Sequence, residues 1–428
     1  MGTIMELHRP AAPAHAHTGH ATCRICGSRL RHTFADLGMS PPCERFLPAD
    51  QLDQMEPFYP LHVQVCERCF LVQLQEYVSP KDIFTEYAYF SSYSDSWLAH
   101  ARAYTERMAG RFGLGPDSLA VEVASNDGYL LQYFAQQGIP VLGIEPAANV
   151  ARVAVGKGLP TLVRFFGKEL AAELVRQGTR ADLITANNVF AHVPDVRSFT
   201  AGLKLLLKPR GVVTLEFPHL MRLMEGNQFD TIYHEHFSYF SFLTASRLLA
   251  QFGLTVFDVE ELRSHGGSLR VYARHDDDES RPIEDSVGEL AQREEAAGFT
   301  QLETYSAFDE QVRRTKRRIL EFFLQARREG RTVAGYGAPG KGNTLLNYCG
   351  IRTDLLDYTV DRNPYKHGKF LPGTHIPVFP PGKLDETRPD YVFILPWNLK
   401  DEIRKQLSYI REWGGRFVVP IPDVEVFE

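Results

Sequence analysis

The chain has 428 residues, of which 44% are hydrophobic and 23% charged, and 47 Lys and Arg stand against 53 Asp and Glu for a formal net charge of −6. Such a length suits two or three domains, and such a composition suits globular cores that need no staples. The mildly acidic balance argues against a nucleic-acid coat protein, and the lack of a run of about 18 apolar residues argues against a membrane-spanning helix.

Residues 1–20 are rich in Ala, Pro and His, and His15, His17 and His20 are read as part of a disordered tail. No signal-peptide pattern is visible there, so a cytoplasmic protein with reduced thiols is expected. Residues 21–80 hold Cys23-Arg-Ile-Cys26 and, 39 residues later, Cys66-Glu-Arg-Cys69. Two such hooks place four thiolates tetrahedrally around one Zn²⁺ and leave no open coordination position, so a structural zinc module is expected. Cys43 and Cys349 are read as ordinary free cysteines. The stretch Glu86-Tyr87-Ala-Tyr89-Phe-Ser-Ser-Tyr93 follows. Its tyrosines either line a pocket or pack a seam between two domains.

An alternating pattern starts near Leu119. Leu119–Val123, Val141–Ile144, 182–186 and 211–217 read as short buried strands. Helical stretches such as Lys168–Arg176 and 199–207 lie between them, and the alternation predicts an α/β, doubly wound parallel sheet. The segments 255–259 and 268–273 are too close for a crossover and predict an antiparallel pair at the sheet edge. Residues 276–330 read as linker and helices: a polar, acidic linker or exposed helical segment over 276–305, then a basic helix around 310–329. A smaller α/β unit over 331–428 follows, with strands near 332–336, 356–360, 391–395 and 416–419.

Four turns carry candidate chemistry. The strand–turn–helix Val121-Glu-Val-Ala-Ser-Asn-Asp-Gly128 fits neither a GxGxxG fingerprint nor a Walker loop, yet its exposed N–H groups suit a bound ligand. Glu145, at the end of the next strand, is placed to accept hydrogen bonds from two ribose hydroxyls. Asn187-Asn188-Val-Phe-Ala-His192 lies at a strand's C-terminal end, where open sheets bind ligands. Tyr233-His-Glu-His236 lacks the HExxH spacing of a zinc protease but can supply a base, a carboxylate and a hydroxyl. Gly337-Ala-Pro-Gly340-Lys341-Gly342-Asn343 opens a helix and suits an anionic ligand, or is a Gly-rich connection with an exposed Lys.

These motifs in this order resemble the sugar C-methyltransferase family, which acts on nucleotide-linked keto-deoxysugars. The resemblance runs from about Cys23 to the C-terminus and includes Gly143-Ile-Glu-Pro146, Tyr-x-Glu-His-Phe and Thr374-His-Ile-Pro377. His234 and the segment Leu215-Glu-Phe-Pro-His219 depart from the family pattern. The resemblance implies a zinc-binding module over 21–80, with Cys23, Cys26, Cys66 and Cys69 as metal ligands. It implies a Rossmann-like, class I S-adenosylmethionine domain over 81–275, with Glu122, Asn126, Asp127, Gly128, Glu145 and Asn187 at the cofactor. It also implies a C-terminal domain over 331–428 that helps to bind a nucleotide-sugar, thymidine diphosphate being the usual carrier. His236 then matches the general base and Glu235 its neighbour. Tyr87, His192 and Tyr233 match the other catalytic positions, and Tyr89, Lys341 and Asn343 fall to substrate binding.

The implied reaction is transfer of a methyl group to a ring carbon, most often C3, of a 4-keto-6-deoxysugar. The ketone acidifies the neighbouring C–H, His236 removes the proton, and Tyr hydroxyls or His192 donate to the enolate oxygen. The alternative within enzymes is an O- or N-methyltransferase of a small metabolite. A zinc-ribbon nucleic-acid binder is disfavoured by the net charge, and an NAD-dependent enzyme by the missing fingerprint.

Overall fold

The computed structural model describes residues 21–84, 90–93 and 95–428. Three sheets organise them. The first holds β1 (His32–Ser40), β2 (Tyr59–Val65) and β3 (Val72–Leu74). The second is built from β4 (Ala120–Val123), β5 (Val141–Ile144), β6 (Thr161–Leu162), β7 (Ala181–Asn187) and β8 (Leu207–Pro218). Next in the chain comes β9 (Ser238–Tyr239), which pairs antiparallel with β3 and so joins the first sheet, in the order β1-β2-β3-β9. The strands β10 (Leu254–Leu262) and β11 (Ser268–His275) complete the second, in the order β10-β11-β8-β7-β4-β5-β6. The third contains β12 (Val333–Tyr336), β13 (Thr359–Val360), β14 (Val378–Phe379), β15 (Tyr391–Ile394), β16 (Arg416–Val419) and β17 (Glu425–Phe427), in the order β14-β13-β12-β15-β16-β17.

The central sheet is the expected doubly wound one. β6, β5, β4, β7 and β8 are parallel, and β11 runs antiparallel between β8 and β10. Helices cover both faces because their apolar residues recur on one side. Lys168–Arg176 buries Leu170, Ala171 and Leu174, and Val196–Leu206 buries Val196, Phe199, Leu203 and Leu206. On the opposite face Tyr104, Met108, Leu130 and Phe134 form a separate cluster.

Two expectations are sharpened. The stretch over 276–305, read as a linker or an exposed helical segment, contains a helix with a buried face. The helix Asp285–Ala296 buries Leu290 and Glu294. The Glu294 carboxylate accepts from His219 Nε2 at 2.6 Å and from the backbone N–H of Phe242 and Leu243 at 2.7 and 2.9 Å. An anion belongs there because those N–H groups open the helix Phe242–Gln251. The strand expected over 356–360 shrinks to Thr359–Val360, its only residues with parallel partners on both sides.

The zinc module does not stand alone. The apolar face of its sheet, with Phe34, Val63, Val65 and Leu74, packs into the C-terminal core, and Phe34 stacks on Phe308 at 4.7 Å. The cysteine end, with Cys23, Ile25, Cys66 and Leu71, packs into the methyltransferase core instead. The module is a wedge between two domains.

Candidate active site

The four predicted zinc ligands converge. Their sulfurs all lie within 4.8 Å of one another, with 3.4 Å between Cys23 and Cys69 and 3.5 Å between Cys26 and Cys66. Zn–S bonds of about 2.3 Å put tetrahedral sulfurs about 3.8 Å apart, so this cage fits one zinc ion. Both hooks turn alike: Gly27 N–H donates to Cys23 O and Phe70 N–H to Cys66 O, and both turning residues are left-handed, at φ 72° and 59°. Four sulfurs leave no place for substrate on the metal, so the zinc is structural.

The module reaches the chemistry through backbone contacts. β3 pairs with β9, and Leu74 N–H donates to Phe237 O at 3.0 Å. Arg24, inside the first hook, donates to Phe237 O and to Leu74 O. Phe237 follows His236 directly, so the zinc hook holds the segment that carries the candidate base.

His236 is 8% exposed and sits among rings. His192 lies edge-on at 4.6 Å, Tyr233 at 4.1 Å and Tyr239 at 6.0 Å. His236 Nδ1 donates to Thr231 O at 2.9 Å, and His192 Nδ1 donates to Glu235 O at 2.9 Å. A carbonyl only accepts, so both imidazoles carry their proton on Nδ1, and each neutral ring leaves Nε2 as an acceptor. This corrects the expectation that His192 donates to an enolate oxygen, because its one proton is already committed. Burial, then the nearby His192, holds His236 well below the ordinary imidazole value. Burial likewise takes His192 down to about 4. Both are neutral at pH 7.

Glu235 is 9% exposed, and burial together with Glu44 pushes its acid up to about 8. Glu44 and Cys43 come from the zinc module, and a Cβ placed on Gly340 would lie 3.0 Å from Glu44 Oε1 and 2.8 Å from Cys43 Sγ. Sequence reasoning missed Glu44, whose neighbours in the chain form no motif. His234 points away from His236, donating to Pro60 O at 3.3 Å and packing edge-on against Tyr59 and Tyr77. Its departure from the family pattern therefore falls on a seam with the zinc module. Tyr87 and Tyr89 lie outside the described residues.

The cofactor turn follows β4. Ala124, Asn126 and Gly128 have φ of 57°, 50° and 77°, which turns the backbone open at the strand end. Only glycine fits at 128, because a Cβ would come within 2.3 Å of Leu159 Cδ1. Among the described residues, both Glu122 carboxylate oxygens, Ser125 Oγ, Asp127 Oδ1 and both amide atoms of Asn188 are buried without a hydrogen-bond partner. Buried polar atoms are rarely left so, and this set fits the amine, carboxylate and hydroxyls of S-adenosylmethionine. Burial, reinforced by Glu145 and Asp127, raises the Glu122 acid well above its usual range. Glu145 accepts from Asn126 N–H at 2.9 Å and Ala147 N–H at 2.8 Å, and each oxygen keeps a second lone pair for a ribose hydroxyl. Asn187 is 9% exposed at the end of β7. Asn188, beside it, is left-handed at φ 55°, a signal that only the backbone reveals.

The C-terminal residues divide. Lys341 Nζ donates to Asn398 Oδ1 at 2.7 Å and lies 4.6 Å over the Trp397 ring. Burial lowers its ammonium and Asp230 opposes the shift. Asp230 in turn accepts from Trp397 Nε1 at 2.7 Å. Asn343 is 1% exposed and donates to Cys43 O, so it is a joint between the zinc module and the C-terminal domain. A cleft of about 550 Å³ lies elsewhere, beside Met39, Arg313, Lys316 and Tyr348, and none of the candidate residues lines it.

Three family descriptions cover this arrangement in order. Residues 23–84 match "Putative zinc binding domain", residues 98–259 match "Methyltransferase domain" and residues 263–422 match "C-methyltransferase C-terminal domain". Among solved structures, an S-adenosylmethionine-dependent methyltransferase from Clostridium acetobutylicum is 12% identical, with a TM-score of 0.35 over 42% of this chain and 92% of that one. A ubiquinone biosynthesis O-methyltransferase from Methylobacterium is 32% identical over 123 residues, 27% of this chain and 48% of that protein. The C-methyltransferase NovU of Streptomyces niveus is 37% identical over 406 residues, 94% of this chain and 96% of its own. A match of that extent spans zinc hooks, cofactor turn and base segment alike, and the chain belongs to this family of S-adenosylmethionine-dependent C-methyltransferases.

Proposed function

We propose that the protein methylates a ring carbon, C3, of a thymidine-diphosphate-linked 4-keto-6-deoxysugar, as a step in deoxysugar biosynthesis. The observation that carries this reading is the Nδ1–H of His236 on Thr231 O, which leaves a bare, neutral Nε2 as a base. A proton beside a ketone is acidic enough for such a base to remove. S-Adenosylmethionine supplies an electrophilic methyl group when bound. Glu122, Asn126, Asp127, Gly128, Glu145 and Asn187 form the cofactor shell in this reading. Lys341, Tyr89 and Asn343 fall to the nucleotide-sugar side, Asn343 by fixing Cys43 rather than by contact. Tyr87, Tyr233 and Glu235 are the further catalytic residues in this reading. No helix among the described residues is long and apolar enough to cross a membrane; the cytoplasmic location is part of this reading.

Mass spectrometry of the protein mixed with S-adenosylmethionine and a panel of thymidine-diphosphate 4-keto-6-deoxysugars in deuterated water tests the reading. The expected result is one added methyl, placed on carbon by NMR, with deuterium uptake beside the ketone. Methylation of oxygen or nitrogen without deuterium uptake would replace it with an O- or N-methyltransferase. His236→Asn is expected to lose at least about 10²-fold in turnover, the usual contribution of a general base, while S-adenosylhomocysteine binds with unchanged affinity by calorimetry.

A further inference from the structure

The enolate oxygen needs hydrogen-bond donors, and the hydrogen-bond inventory of the cleft restricts where they come from. The single protons of neutral His192 and His236 are both spent on backbone carbonyls. A third imidazole, His265, has no such commitment. Neither of its ring nitrogens bonds a described residue, and its one recorded ring contact is edge-on to Trp97 at 5.3 Å. A neutral imidazole always carries one N–H, so His265 is free to present it.

The backbone holds His265 in place at a cost. It sits between β10 and β11 at φ 53°, followed by Gly266 at 88° and Gly267 at 120°. A left-handed non-glycine residue is strained and persists only where its surroundings over-determine it. They do so here: Gln228 Nε2 donates to Gly266 O at 2.7 Å, His219 N–H to Gly267 O at 3.0 Å, and Ser264 Oγ to Glu216 Oε1 at 3.1 Å. The loop also adjoins the cleft. A Cβ on Gly266 would lie 2.9 Å from Trp397 Cη2, and Lys341 Nζ lies over that same ring. His265 is close enough to lower the proton affinity of both His192 and His236. Its side chain is exposed, so a ligand in the cleft can reach it.

We infer that His265 is a further catalytic residue, donating a hydrogen bond to the oxyanion that forms as His236 takes the proton, with Lys341 facing it from the C-terminal domain. This rests on the enolate reading above. The C–H bond breaks, its proton goes to His236 Nε2, and its electron pair forms the carbon–carbon double bond. The carbonyl π pair moves onto oxygen, opposite His265 N–H. Nothing is oxidised or reduced in this step.

Enolisation can be followed without methyl transfer, as deuterium exchange beside the ketone of a thymidine-diphosphate 4-keto-6-deoxysugar in D₂O with S-adenosylhomocysteine present. His265→Gly and His265→Asn are suitable variants because both residues accept a left-handed backbone. His265→Gly is expected to slow the saturated exchange rate by about 10²-fold, the usual loss on removing one oxyanion donor. Its substrate affinity should stay within error of the unaltered protein, its thermal midpoint should not fall because glycine accepts the left-handed backbone without strain, and His265→Asn, which keeps an N–H donor, should recover part of the rate. Wild-type exchange in His265→Gly overturns the inference, and so does a loss confined to substrate affinity. No exchange by the unaltered protein overturns the enolate reading and this inference with it.

Discussion

His236 and Glu235 are neighbours in the chain with opposite needs. The base works unprotonated, and burial with His192 nearby holds it well below the ordinary imidazole value. The rising limb of kcat/KM against pH should therefore lie well to the acid side of the one a solvated histidine gives. Glu235 keeps its proton until about pH 8, since burial and Glu44 raise it. A protonated carboxyl is a donor, so kcat/KM should fall again near that value. Glu235→Gln, which keeps a donor and cannot ionise, should retain activity and lose the falling limb. Kinetics across the pH range check both. Tyr-x-Glu-His was legible because its parts are contiguous. Glu44 and His265 were not, since they reach the cleft from loops far away in the chain and belong to no motif.

At the scale of elements, one buried pair fixes the edge of the central sheet. Glu216 on β8 stands directly opposite Arg270 on β11, and their side chains pair at 2.8 Å with almost no exposure. His100 meets the same oxygen at 3.2 Å. Glu216 is drawn down to about 2, despite its burial, chiefly by His100 and Arg270. A depressed carboxyl stabilises the fold above its unfolded value, near 4.3, and that stability is lost as pH falls toward 2. Glu216→Gln should cost up to about 3 kcal/mol, because it leaves the buried Arg270 with only its longer ion pair to Glu260, at 3.4 Å, and denaturant unfolding measures it. The strand alternation that predicted β8 and β11 says nothing of this pairing. Register decides it, and register is a property of the two strands together.

For the whole molecule, the zinc hook supports the proposed active site through the backbone. Arg24 lies between two metal ligands and donates to Phe237 O beside the base. Metal removal by a chelator should therefore abolish turnover and lower the thermal midpoint. Arg24→Ala separates the two effects. It should keep one zinc by metal analysis and lose up to about 10²-fold in kcat, since a small displacement of a reacting group costs that much. A kcat equal to that of the unaltered protein would make the contact merely structural.

The sequence by itself determined what is local. Cysteine spacing set the metal site, apolar periodicity set the doubly wound sheet, and adjacent residues set the His236 segment. Each depends on distances of a few residues along one chain, which spacing fixes. Only the tertiary structure decided that β9 would complete the zinc module's sheet, and that Glu294, from a stretch read as a linker or an exposed helical segment, would cap a helix of the methyltransferase domain. It also decided that His192 would spend its proton on Glu235 O while His265 kept its own. Those outcomes depend on which distant groups meet, and a hydrogen bond has a donor and an acceptor only once both are in place.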